Sequence, residues 1–325
     1  MTAPGLSRWA EIPPVAGSVV MATGIVSIGL HLIGHEVLSV AVFALALLVW
    51  VLLAIGFTSL LLGDRSSWRA WADTPAALTS VAATCVLGVR FEVLGVTPVA
   101  VALLVLAAAV WPVLLTTVLR RLAWRMPGGV FLICVATQGL AVLSAVLAPG
   151  SGDWLAWAAL VLLVLGLVLY GNALARFDLR QLPTGAGDQW IAGGAMAISA
   201  LAGSKLLASG VWSGTAHTAL RTVTLVLLGL SLAWYAVLAG CEVACPRLRY
   251  DIRRWATVFP MGMTAVACLS TAAAAGVSWP AGLGQVLLWI ACAAWLAAAY
   301  GLVRARRNRN RTAPAPTGGA RSGMA

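Results

Sequence analysis

Two basic residues, Arg90 and Lys205, are notable because they lie at the ends of apolar stretches of the sequence. A charged side chain at membrane depth costs about 2.5 to 3.5 kcal/mol on insertion scales and usually has a function. No acidic residue lies in the middle of an apolar stretch, whereas a path for cations normally carries carboxylates or coordinating carbonyls. If these stretches span a membrane, this pattern favours anions over cations along a path between them. For each residue alone, the alternative is that the side chain extends to the outer lipid headgroups.

Residues with the spacing of a catalytic site are missing from the sequence. It has no phosphate-binding glycine loop, no His-Glu-x-x-His motif and no plausible nucleophile–base pair. We therefore expect no enzyme. Cys241 and Cys245 are close together, but no histidine lies near them, so we expect no metal site and no cofactor.

The composition of the chain indicates a membrane protein. Hydrophobic residues make up 61% of the 325 residues, charged residues make up 10%, and the mean hydropathy is +0.96. So few charges cannot cover a water-facing surface, and the apolar stretches run for about twenty residues without alternation, which favours helices over barrel strands. The net charge of +11 is concentrated in loops and in the tail. That distribution is typical of the positive-inside rule and does not indicate nucleic-acid binding.

The apolar stretches predict an all-α integral membrane protein with ten transmembrane helices in five helical hairpins. The linkers after the odd-numbered spans are short, and those after the even-numbered spans are longer and charged. The predicted spans are 15–34, 38–62, 75–91, 97–119, 129–148, 154–175, 190–210, 217–240, 255–276 and 281–303.

The arginines and lysines predict the orientation. Of the 21, 18 lie in the N-terminus, the longer loops and the C-terminal tail, so we expect a multi-pass protein of the plasma (inner) membrane with both termini in the cytoplasm. The predicted regions are a cytoplasmic segment 1–14, a transmembrane domain 15–303 and a disordered basic tail 304–325. The first span could alternatively be a signal peptide with Arg8 as its charged region, but the internal repeat includes this span.

The chain contains five repeats with a period near sixty residues. Each odd-numbered span carries a hydroxyl residue in a similar context, and each even-numbered span carries an aromatic residue. The odd spans are also richer in hydroxyl residues and glycine, which predicts five inner helices around an axial pore and five outer helices facing lipid. For a single residue, close helix packing is the alternative explanation. The five hydroxyl residues, which we expect to line the pore, are Thr23, Thr84, Thr137, Ser199 and Thr264.

Measured from these hydroxyls, Arg90 and Lys205 occupy the same position in two repeats, six residues after Thr84 and Ser199. They should therefore attract anions at the same outer mouth of the pore.

Phe259 and Pro260 are candidates for a pore gate. Phe259 lies five residues before Thr264, and the proline bends the helix so that the ring can lean toward the axis. The equivalent positions of the other repeats carry mostly smaller side chains, namely Ser18, Thr79, Leu132 and Gly194. A packed core phenylalanine is the alternative.

Four sequence segments resemble the tellurite-resistance/dicarboxylate transporter family, which has a slow-anion-channel-like fold. These segments are MATGIVS at 21–27, VLGVR at 86–90, VATQ at 135–138 and VFPMG at 258–262. The likeness extends over roughly residues 13–303 and is weak in the seventh span. The family includes bacterial tellurite-resistance proteins, fungal malate permeases and plant guard-cell slow anion channels.

The resemblance implies a fold of five hairpins around a quasi-fivefold axis, whose inner helices form the pore. It also implies that a phenylalanine on the ninth helix, Phe259 here, gates the pore, and that the protein is a homotrimer. It adds a substrate range of chloride, nitrate, C4-dicarboxylates, sulfite or tellurite.

The sequence therefore predicts passage of a small anion through a central pore, as a channel or uniporter, with the anion and membrane lipid as partners. The alternatives are a proton-coupled dicarboxylate or oxyanion exporter, for which no histidine or carboxylate relay is visible in the sequence, and a membrane-embedded sensor or scaffold that signals through its tail.

Overall fold

The computed structural model describes residues 14–247 and 250–312, and the regular structure in these residues is helical. Within these described residues, nine helices are long and apolar enough to cross a membrane, and a tenth helix, Gly17–Leu32, is apolar but shorter. Five of the ten are mostly buried: α1 (Gly17–Leu32), α4 (Thr79–Val93), α6 (Leu132–Ser151), α9 (Ile191–Ala208) and α11 (Trp255–Ala275). The other five are mostly exposed: α2 (Glu36–Gly63), α5 (Thr97–Leu119), α7 (Asp153–Arg176), α10 (Gly214–Ala244) and α12 (Trp279–Thr312).

We call the first group the inner helices and the second group the outer helices, because their burial differs sharply. Between 72% and 94% of the apolar window is buried in the four longer inner helices, against 17% to 33% in the outer helices. The outer helices therefore expose apolar surface, which is typical of a membrane-embedded protein.

Each inner helix packs against the outer helix that follows it in the chain. The inner helices also pack against one another in the order α1, α4, α6, α9, α11, and α11 packs against α1 again. The described inner helices thus form a closed ring of contacts.

Small residues allow the inner helices to approach closely. A Cβ atom added to Gly24 of α1 would lie 2.6 Å from Val86 of α4, and one added to Gly194 of α9 would lie 2.8 Å from Pro260 of α11. On α11, a Cβ added to Gly262 would lie 2.9 Å from Ile25 of α1. The packing role that we considered for glycine in these spans is therefore observed at these positions.

Each inner helix follows a short 3₁₀ turn, and most neighbouring turns contact each other. The N-terminal ends of the inner helices therefore meet at one end of the bundle. The turns are Pro14–Ala16, Pro75–Leu78, Gly128–Phe131, Asp188–Trp190 and Ile252–Arg254.

Two elements differ from the sequence prediction. The loop after α2 contains an amphipathic helix, α3 (Arg65–Ala72), whose Trp68 and Trp71 rings contact Phe57 of α2 at centroid distances of 5.9 and 5.1 Å. The loop after α7 contains one helical turn, α8 (Gln181–Thr184).

The last helix also continues beyond its predicted end. Helix α12 runs to Thr312, so the prediction of a disordered tail from residue 304 is wrong for residues 304–312, where no glycine or proline interrupts the helix. The rest of that tail, 313–325, and residues 1–13 of the predicted N-terminal segment lie outside the described residues.

Candidate functional site

A small cavity lies on the axis of the inner ring. All five inner helices contribute to its walls, and its volume is about 20 Å³, which is room for about one water molecule. Its lining is apolar except for one charged residue. The lining residues are Ile25, Ile28, Cys85, Val86, Val89, Gly139, Val142, Ile198, Leu201, Lys205, Met263 and Val266.

The cavity follows the internal repeat. Each repeat contributes the residue two positions after its hydroxyl, and we call these five residues the axial ring. The ring consists of Ile25, Val86, Gly139, Leu201 and Val266. Equivalent positions of the five inner helices therefore face the same axis.

The hydroxyl residues face away from that axis. A helix turns by about 100° per residue. A hydroxyl residue two positions before the axial ring therefore points about 160° away from the axial direction. Three of the threonines accept a hydrogen bond from a tryptophan Nε1 of an outer helix, at 3.0 Å in each case, and each donates to the backbone carbonyl four residues earlier. The pairs are Trp295 with Thr23, Trp50 with Thr84, and Trp111 with Thr137.

The other two hydroxyls are also bonded within the helices. Ser199 donates to the carbonyl of Ala195 at 2.8 Å. Thr264 donates to the carbonyl of Pro260 at 3.0 Å and lies 3.5 Å from the Ser231 hydroxyl of α10. The prediction that the five hydroxyls line the axial pathway is therefore wrong for this cavity. They connect inner to outer helices or return to their own backbone.

Phe259 lies on the axial face of α11, below the cavity. Phe259 lies seven residues before Val266 of the axial ring and five residues before Thr264. Seven residues are nearly two full helical turns, so Phe259 points within about 20° of the direction of Val266 and lies about 10 Å from it along the helix. The Phe259 side chain is 1% exposed. Pro260 follows inside the helix and packs against Gly194 of α9, so the proline determines the spacing of two inner helices at this level.

Lys205 lies on the opposite side of the axial ring from Phe259. It is four residues after Leu201, or about 6 Å further along α9, and it lines the cavity while half-buried. Within residues 14–247 and 250–312, it makes neither a hydrogen bond nor an ion pair. Only apolar atoms face the cavity, so the stem of Lys205 lines it, and the ammonium group has no charged partner among the described residues.

Arg90 has different surroundings. The side chain is fully buried, and its Nη2 donates to Glu36 Oε1 of α2 at 2.5 Å. The other carboxylate oxygen of Glu36 lies 2.5 Å from His31 Nδ1. Arg90 is thus held in an ion pair with Glu36 and is not among the residues that line the cavity, while its attraction for anions at the outer mouth stays a prediction.

Sequence reasoning missed this cluster of three residues. His31 and Glu36 stand on either side of the short turn between α1 and α2, but Arg90 is 54 residues from Glu36 in the chain. The closeness of His31 and Glu36 in the sequence could have predicted their contact. Nothing in the sequence indicated that Arg90, on another hairpin, would join them.

A family model described as voltage-dependent anion channel matches residues 11–303. The chain belongs to this family. The match confirms the resemblance to the slow-anion-channel-like family. A search of curated proteins finds no match to the chain.

Family membership and the apolar helices together make this chain a multi-pass membrane protein of an anion channel or transporter family. The axial cavity has apolar walls, no carboxylate among its lining residues and one basic residue, Lys205, among them.

Charged residues at the other end of the bundle stabilise the turns. Gly129 N donates to Asp188 Oδ2 at 3.2 Å, which connects two neighbouring turns. The Arg253 guanidinium pairs with Asp251 at 2.9 Å and holds the pKa of that carboxyl below its usual range. These acids are already engaged with the backbone or with an arginine.

Proposed function

We propose that the protein passes a small anion along the axis of the five inner helices, as a channel or uniporter. In this proposal the chain forms five helical hairpins around a quasi-fivefold pore. The observation that carries it is the axial cavity, because all five inner helices line it and its one charged lining residue is an unpaired lysine. The candidate anions are chloride, nitrate, C4-dicarboxylates, sulfite and tellurite-type oxyanions.

Helix dipoles support an anion at the end of the bundle where the turns meet. Each helix N-terminus carries the equivalent of about half a positive charge, and the inner helices begin at this same end. An anion would meet this field at one mouth and Lys205 toward the other. Neutral apolar walls between two positive regions favour anions over cations.

Phe259 is the proposed gate, and Pro260 is the proposed determinant of its position. The cavity holds about one water and ends one helical turn above Phe259. A hydrophobic constriction of this kind closes a pore because water and ions leave it. Movement of the ring away from the axis would open the path toward the turns.

The arginine distribution supports a cytoplasmic position for both termini, in the inner (plasma) membrane. The turns would then face the cytoplasm and Lys205 would lie toward the outside. A homotrimer with lipid around it is the expected assembly, on the resemblance alone.

A proton-coupled exporter is a second candidate, and the His31–Glu36–Arg90 cluster is the observation that favours it. These residues provide titratable groups at the outer end of the bundle. None of the three is among the residues that line the axial cavity, so coupling would have to act at a distance.

Purified protein in liposomes tests the proposal. With an anion panel inside and a potential set by a potassium gradient, we expect anion efflux that follows the voltage and continues without a proton gradient. Flux that needs a proton gradient would favour the exporter. Selectivity for potassium or sodium over every anion tested would contradict the proposal.

A further inference from the structure

A second, larger cavity lies between the outer helices α2 and α5. Its volume is about 340 Å³, within the range of ligand pockets. Its side walls come from apolar residues such as Leu53 of α2 and Leu106 of α5, and its floor comes from α1 and α4 of the inner ring. We call it the lateral crevice.

The lateral crevice has the depth of one membrane leaflet. Along α2 its lining runs from Trp50 to Leu61, which is eleven residues or about 16 Å. This is close to half of the roughly 30 Å of hydrocarbon in a bilayer. The crevice lies in the second half of α2, toward the end of the bundle where the inner helices begin.

Helix α3 lies at the end of this crevice and is held there by specific contacts. Trp71 of α3 lines the crevice and makes an edge-to-face contact with Phe57 of α2. Asp64 caps the helix by accepting from the backbone N–H groups of Ser66 and Ser67 at 3.1 Å, and hydrogen bonds from both serines hold the pKa of Asp64 well below its usual range.

The exposed face of α3 is basic. Arg65 and Arg69 are four residues apart and so lie on one face of the helix. Both are exposed, and neither forms an ion pair with another residue among 14–247 and 250–312. The lateral crevice is therefore an apolar cavity one leaflet deep, with two arginines near its end that have no ion-pair partner among the described residues.

We infer that the lateral crevice binds one acyl chain of an anionic phospholipid, with its phosphate held by Arg65 and Arg69. The apolar walls suit an acyl chain, the depth suits a lipid of the leaflet on that side, and the charge of α3 selects an anionic headgroup. The floor helices α1 and α4 also carry Ile25 and Val86 of the axial ring. The lipid therefore packs directly behind the helices that surround the axial cavity.

Lipid retention measures this binding in the full-length protein. The protein is exchanged into detergent with equal amounts of palmitoyl-oleoyl phosphatidylglycerol and phosphatidylcholine, and bound lipid is counted by native mass spectrometry. We expect the wild-type chain to retain phosphatidylglycerol preferentially. The double variant Arg65→Gln/Arg69→Gln should lower that preference by about 25-fold, since each arginine near a membrane surface contributes about fivefold.

The matched control is Arg180→Gln/Arg304→Gln, which removes two exposed arginines from other parts of the chain. It should keep the wild-type preference. Equal retention of the two lipids by the wild-type protein, or an equal loss in the control pair, would overturn the inference, because the arginines would then act only through overall charge.

A second variant tests the acyl chain itself. Ala54 of α2 lines the crevice and is half-buried, so Ala54→Phe should fill the space and lower the retained phosphatidylglycerol to the level of phosphatidylcholine. Unchanged retention in a folded Ala54→Phe protein contradicts the inference, as does loss of oligomers without loss of lipid, which would assign the crevice to a second copy of the chain. If Ala54→Phe does not fold, the arginine pair decides the question.

Discussion

Arg90 and Lys205 occupy the same position in two repeats, yet the structure gives them different surroundings. Arg90 is fully buried and paired with Glu36, whereas Lys205 lines the axial cavity without a partner among the described residues. Both residues follow the hydroxyl of their repeat by six positions. A repeat can therefore assign the same backbone position to two cations while only one of them keeps its charge available.

The difference originates in the preceding outer helices. Glu36 lies fourteen residues before Trp50 on α2, and the equivalent residue before Tyr170 on α7 is Ala156. The first acid of α7 is Asp153, three residues or about 4.5 Å further from the aromatic. Asp153 is exposed and does not pair with Lys205. The comparison shows that an acid on the neighbouring outer helix pairs with one of these two cations and leaves the other without an ion-pair partner among the described residues.

Phe259→Ala should have the largest effect, because it determines whether Lys205 faces a gated path. If the ring closes the axis, truncation admits water and raises anion flux by about tenfold for each 1.4 kcal/mol of barrier removed. A ring that only packs would instead cost about 3 to 5 kcal/mol of stability without any gain in flux. Efflux per folded protein separates these outcomes.

Removal of the unpaired charge of Lys205 tests the proposed role of this residue in attracting anions. Lys205→Gln should lower anion flux by about tenfold and weaken the selectivity for anions, because a cation beside a low-dielectric path concentrates anions there. The Phe259→Ala background makes the effect easier to measure, and the reduction should persist in it. Equal flux with lysine and glutamine would mean that Lys205 only contacts headgroups.

Ala156→Glu should give Lys205 an ion-pair partner, as Glu36 is for Arg90. A carboxylate at this position of α7 would stand where Glu36 stands relative to its aromatic, and an ion pair would reduce the charge available to an anion. Flux should fall, but less than in Lys205→Gln. Ala156→Gln is the control of equal size. If the two variants conduct equally, the effect is steric and the proposed equivalence of the two sites is wrong.

The sequence predicted the helical membrane class and the positions of the inner helices, because hydropathy and repeat period are properties of the linear chain. It did not predict which face of each inner helix points inward. Thr23, Thr84 and Thr137 marked the repeat correctly but turned toward tryptophans of the outer helices. A buried hydroxyl can either accept a hydrogen bond from a neighbouring indole or line a pore. Only the packing register between the helices determines which of these two roles it has.

The partner of Arg90 was not predictable for a related reason. Glu36 is 54 residues away and on another hairpin, so neither spacing nor composition connects the two. The amphipathic helix α3 was also missed, since a charged loop with two tryptophans reads as a linker until Asp64 is seen to cap it. Local patterns predicted the elements, and pairings between distant elements required the structure.

The smallest effect on transport should come from breaking the structural pair. Glu36→Gln removes the carboxylate that holds both His31 and Arg90 and leaves a buried guanidinium without its counter-charge. Two further nitrogens of Arg90, Nε and Nη1, already have no partner among the described residues, so the side chain cannot redirect its charge to an existing acceptor. We expect a lower thermal midpoint for Glu36→Gln, because an uncompensated buried charge is costly.

Anion flux per folded protein should change by less than about twofold, since neither residue lines the axial cavity. The variant Glu36→Asp serves as the control, because it keeps the charge and should recover part of the stability. If flux fell in Glu36→Gln as much as in Lys205→Gln, the outer cluster would belong to the transport path after all, and the proton-coupled alternative would gain the support that the axial geometry does not give it.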